Sequence, residues 1–172
     1  EVVQAVGVFL SQLQYLRSGI DIRYFGILTA AIQIIRLSSA KAYSLTNKIG
    51  KNKSIEVLYI LIAISCFFLI FVSTPIMTIT LIITISGSMA LIGPIALDIQ
   101  NKAISTKDRA TILSIYSMGG SLIAAFINPL IGKTADISLR AAFTACLIIS
   151  ITAYVLFLFY KKGSEIIINR NS

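Results

Sequence analysis

The sequence predicts an all-α, polytopic transmembrane helix bundle. Three observations carry that expectation. Hydrophobic residues make up 56% of the 172-residue chain and charged ones only 13%, with a mean hydropathy of +0.88, whereas a soluble domain carries about 25% charged residues. No charged residue occurs between Val57 and Leu97, which is room for two crossings of a ~30 Å hydrocarbon core. The basic residues fall mainly in the breaks between apolar runs, where they set topology. So few polar side chains cannot coat a water-soluble globule, which excludes a soluble enzyme, a secreted disulfide scaffold and a disordered chain.

The elements follow in chain order. The apolar run at 2–16 carries Gln4, Gln12 and Gln14 and would rise only ~22 Å as a helix. It is therefore expected to be the end of a transmembrane helix, and the chain a fragment. Arg17 to Asp21 forms a polar break with a turn signal at Gly19. A second span is expected at 24–40, followed by Lys41 and a basic loop at 47–53. The third span, at 55–72, and the fourth, at 76–97, are separated only by Ser73, Thr74 and Pro75. So short a connection forces antiparallel neighbours. A polar loop at 98–109 leads to a fifth span at 110–131, and a break at 132–136 to a sixth at 139–160, with Ser138 as its N-cap and a basic tail beyond.

Sidedness follows from the Lys and Arg distribution. One side would hold Arg17, Arg23, Lys133 and Arg140. The other would hold Lys41, Lys48, Lys51, Lys53, Lys102, Lys107, Arg109, Lys161, Lys162 and Arg170. The positive-inside rule makes the richer side, including the C-terminal tail, cytoplasmic. The net charge of +8 is thus read as topological and as attraction to the lipid bilayer, with no nucleic-acid partner. Cys66 and Cys146 lie inside apolar runs and are read as packing residues. With no His in the chain, no metal site and no cofactor are expected.

The stretch from Tyr43 through Leu45, Asn47, Lys48, Gly50 and Lys51 to Lys53 resembles the cytoplasmic loop motif of the major facilitator superfamily, roughly G-x-L-x-D-R-x-G-R-K-x. Leu45, Lys48, Gly50 and Lys51 match in position and type. Tyr43 replaces the first Gly and Asn47 the Asp. The stretches from Arg109 to Ser114 and from Asn128 to Asp136 resemble the start and end of the eleventh helix of bacterial members. The resemblance extends over nearly the whole chain. It implies half of a twelve-helix major facilitator fold: a partial seventh helix followed by helices eight to twelve, with the N-terminal six-helix half as partner. The resemblance further implies that the family's loop Asp latches one conformation, so that Asn47 leaves a weaker or neutral latch here.

Candidate functional residues follow. Arg36 is the only full charge well inside a span; it either binds an anionic group of a small-molecule substrate or snorkels to the interface. Gln33 lies three residues earlier on the same helix face. In the resembling family the seventh and eighth helices border a central cavity, which makes Gln33 and Arg36, with Gln4, the candidate substrate contacts. Asn128 is a further candidate, or else a partner for backbone loosened by Pro129. Asn47, Lys48, Gly50, Lys51, Asp98 and Arg109 are the gating candidates, with Asp98 and Lys102 spaced for a pair along one helix. Ser114, Ser117, Ser121 and Ala125 form a small-residue stripe, and Gly93-Pro94 is expected to bend its helix.

The resemblance implies secondary transport by alternating access, with no transport by this half alone. A membrane-embedded enzyme would need paired intramembrane carboxylates, a metal site or a base to activate a hydroxyl, and the spans offer hydroxyls but no such base and no mid-membrane Asp or Glu. A non-catalytic polytopic scaffold remains the other class.

Overall fold

The computed structural model describes residues 9–104 and 109–170, and the regular elements among them are all helical. Helix α1 (Ser11–Arg17) ends in a Schellman turn: the Gly19 amide donates to Leu16 O at 3.0 Å and the Ile20 amide to Tyr15 O at 3.0 Å. That geometry needs the positive φ of Gly19, +75°. A 3-10 turn (Ile22–Tyr24) leads to α2 (Phe25–Arg36), a 3-10 stretch (Leu37–Lys41) and α3 (Ala42–Ile49). Then follow α4 (Lys51–Phe71), α5 (Pro75–Ala103), α6 (Arg109–Ile137) and α7 (Leu139–Arg170).

Four of these helices, α4 to α7, are long and apolar enough to cross a membrane, which makes this a membrane-embedded helical protein. The expected second span is a composite rod. Arg36, Leu37 and Ala42 all keep right-handed helical angles, so the path stays helical while it tightens over Leu37–Lys41. Serines in that stretch are poor helix formers, and a short 3-10 insertion is a common hinge.

The helices differ from the apolar runs at their ends. The expected loop at 47–53 is helical apart from Gly50, and the expected break at 132–136 lies inside α6. Residues 98–103 of the expected polar loop belong to α5. The physical reason is the same in each case: hydropathy marks where side chains leave lipid, whereas a helix stops only at a residue that cannot continue it. Gly50, at φ +83° and ψ 156°, is such a residue. Ser138 does cap α7, accepting the Ala141 amide at 3.0 Å. Both Pro94 and Pro129 sit inside continuous helices.

Helix α4 is the centre of the bundle. It packs along α5, as their three-residue connection requires, and along α7, which in turn holds α6. The most apolar 18-residue window of α4 is 39% buried against 6% for that of α6, so α6 is the most peripheral of the four. Burial does not follow hydrophobicity. Ser54, Ser65, Thr78, Ser86 and Ser150 are buried at helix contacts, while Phe67, Phe71, Ile76 and Phe126 are exposed. Small hydroxyl residues at helix contacts, beside a core that also holds Leu69 and Phe143, with large apolar residues left outside, are what lipid rather than water selects. Two of these hydroxyls are satisfied along their own helices, Ser65 to Leu61 O and Ser150 to Cys146 O, each at 2.7 Å.

Candidate functional site

At one end of the bundle Gly50 turns the chain from α3 into α4. Its amide donates to Thr46 O at 2.9 Å, and its carbonyl accepts from the Ser54 amide at 3.0 Å and the Ser54 hydroxyl at 2.7 Å. The turn places Lys51, the first residue of α4, where the helix dipole disfavours a cation. Asp98 of α5 compensates it through a Lys51 Nζ to Asp98 Oδ2 ion pair. Asp98 thus pairs between helices, because the Gly50 turn carries Lys51 over it. Lys51, Asp98, Asn47, Tyr43 and Thr46 together line a cavity of about 430 Å³, and Lys102, spaced along α5 for the expected pair, lines it too. One turn further into α4, Glu56 accepts from Lys161 of α7 at 2.9 Å. Helix α4 is thus tied to both its neighbours at the Gly50 end by charge.

The Pro75 end is held by neutral and charge-assisted hydrogen bonds. Gln14 Nε2 donates to Val72 O at 2.8 Å and lies 3.4 Å from Thr78 Oγ1, while Arg17 Nη2 donates to Ile70 O at 3.2 Å. The hydroxyls of Ser18 and Thr78 are 2.6 Å apart. The last carbonyls of α4 are in this way satisfied by side chains of α1. Burial, with Arg140 nearby, lowers the Arg17 pKa from its ordinary value. This clasp and the Glu56–Lys161 pair were not among the sequence candidates. The signal for the second was Glu56 itself, a carboxylate at the edge of an apolar run.

The gating candidates Asn47, Lys51 and Asp98 thus converge on one cavity, and Gly50 makes the turn beside it. Lys48 is exposed on α3. Arg109 opens α6, and its side chain lies outside the described part. Gln33 and Arg36 stand together on the exposed face of α2, and Asn128 is exposed on α6. Gln4 lies outside the described residues. Among the described residues no His, Cys, Asp or Glu cluster could hold a metal ion.

No family model matches the chain, and no curated protein or solved structure is significantly similar to it.

Proposed function

We propose that this chain is the C-terminal half of a major-facilitator-type secondary transporter, moving a small molecule by alternating access against an N-terminal six-helix half. The observation that carries the reading is the Gly50 turn with Asn47, Lys51 and Asp98 around one cavity. Asn47, Gly50 and Lys51 belong to the loop that carries the resemblance, and Asp98 to the helix end expected to pair with a lysine. An ion pair that ties one helix to its neighbour beside a turn is a latch that can open without unfolding either helix. Two further observations support it. Polar Gln33 and Arg36 on α2, and Ser114, Ser117, Ser121 and Asn128 on α6, stand exposed on otherwise apolar helices. Such groups are costly toward lipid and suit a wet cavity or a second half. In this reading the Gly50 end, which also carries Lys48, Lys53, Lys161 and Lys162, faces the cytoplasm of the cell membrane. The proposal includes no catalytic step.

Single cysteines placed at Ser73, Asn128 and Lys162, in a background with Cys66 and Cys146 replaced by Ser, test this in the whole protein in intact cells. A membrane-impermeant maleimide should label position 73 from outside and position 162 only after the membrane is opened. Asp98→Asn should change the labelling rate at position 128 by several-fold. Labelling of position 162 from outside, or a rate at 128 indifferent to Asp98, would remove the orientation or the latch respectively.

A further inference from the structure

Helices α5 and α6 meet only at their margins, and a cleft runs between them with α4 and α7 as its floor. Toward the Gly50 end it holds a cavity of about 380 Å³ whose walls include Tyr59, Tyr116, Phe157, Tyr160 and Gln100. The Phe157 ring stands between two tyrosines, its centroid 6.2 Å from that of Tyr59 and 6.4 Å from that of Tyr160. Tyr59 also forms part of a second cavity, about 440 Å³ and one layer deeper, walled by Ile62, Met89, Ile127 and Leu156. Each volume falls within the range of small-molecule sites, about 300–1,000 Å³.

We propose that this cleft binds a monovalent hydrophobic cation, its charged head among the aromatic rings and its apolar tail along the deeper cavity. Aromatic rings carry negative π faces, and a cluster of them attracts a weakly hydrated cation. No Lys or Arg lines either cavity among the described residues, so the head meets no like charge, and an anionic head would find no partner. No carboxylate lines them either, so a small, strongly hydrated ion would lose its water shell without replacement. A quaternary ammonium group has little shell to lose. The deeper cavity offers the tail isoleucine, methionine and leucine. Its Ser150 hydroxyl is already engaged with Cys146 O at 2.7 Å. The site lies on a different face of α5 from the Lys51–Asp98 cavity, whose lining from α5 is Pro94, Ile95, Asp98 and Lys102, and it does not depend on the transport reading.

The chain contains no Trp, so Tyr116→Trp places a single fluorophore at the mouth of the cleft, where Tyr116 is half exposed. The full chain in lipid vesicles is titrated with decyltrimethylammonium, decyl sulfate or decanol below their micelle-forming concentrations, with protein-free vesicles subtracted. A saturable change is expected for the cation, at least tenfold tighter than for the other two. Tyr160→Leu, at a half-exposed position that tolerates substitution, should weaken the cation about tenfold, and Tyr160→Phe should retain it. Equal binding of the three amphiphiles would overturn the proposal, because the cleft would then accept any acyl chain, including those of the bilayer. So would the absence of saturation, or a cation affinity indifferent to Tyr160→Leu.

Discussion

Gly50 occupies backbone space, φ +83° with ψ 156°, that side-chain-bearing residues avoid, and a Cβ there would touch nothing within 4 Å. Gly50→Ala therefore isolates backbone strain, and it should cost about 1–3 kcal/mol. Gly93→Ala, in a helix and equally unobstructed, should instead raise stability by about 1 kcal/mol or less. Melting temperatures in detergent that move in the same direction for both would contradict this account of the turn. Asp21 is a second residue with its own signature. Its carboxylate accepts from the Arg23 amide at 2.9 Å and from the Arg23 guanidinium at 3.0 Å, which lowers its pKa from the ordinary value. A depressed carboxyl pKa contributes stability above the unfolded pKa, near 3.9, and that contribution is lost as pH falls through the folded value. Arg23→Ala should return the Asp21 titration to the usual Asp range, as read by infrared difference titration of the carboxyl band. An unmoved band would dismiss the pair.

Helix α4 draws its position from contrasting fastenings at its two ends. At the Gly50 end the Glu56–Lys161 pair has side chains 21% and 29% exposed, and the Lys51–Asp98 pair 45% and 33% in the order Asp98, Lys51. Screening should leave the more open pair worth about 0–1 kcal/mol. Glu56→Gln is therefore expected to destabilise more than Asp98→Asn in denaturant unfolding, and the opposite order would show that exposure is not what ranks them. At the Pro75 end Gln14 spends its amide on Val72 O while its Oε1 finds no partner among the described residues. That clasp links elements 58 positions apart, and the hydropathy of a single run carries no trace of it. Lys51 and Asp98 were both visible in sequence as gating candidates, whereas their pairing was not, because spacing along α5 pointed Asp98 to Lys102.

Over the whole molecule, large apolar residues stand both inside and outside, so packing and not polarity alone sorts them. Ile62 on α4 is 2% exposed and Phe126 on α6 is 74% exposed. Ile62→Ala should cost about 2–5 kcal/mol through its lost contacts and cavity, and Phe126→Ala about 0.5 kcal/mol or less. Denaturant unfolding of the chain in detergent decides this. Comparable losses would mean that α6 is held by more than its contact with α7. In the proposed transporter the exposed serines of α6 and the Gln33–Arg36 face of α2 are where a second half would lie.

From the amino-acid order alone came the membrane-crossing character, the antiparallel pairing forced at Ser73 to Pro75, the Gly19 turn and the Ser138 cap. Each of these depends on local composition or on the conformational limits of one residue, so neighbours in the chain suffice to specify it. Only the folded arrangement decided that Lys51 meets Asp98, that Glu56 meets Lys161, that α4 is central and α6 peripheral, and that three tyrosines from three helices gather in one cleft. In lipid nearly every face of such a helix is apolar. The hydrophobic pattern therefore cannot say which face turns inward, and packing between distant segments makes that choice.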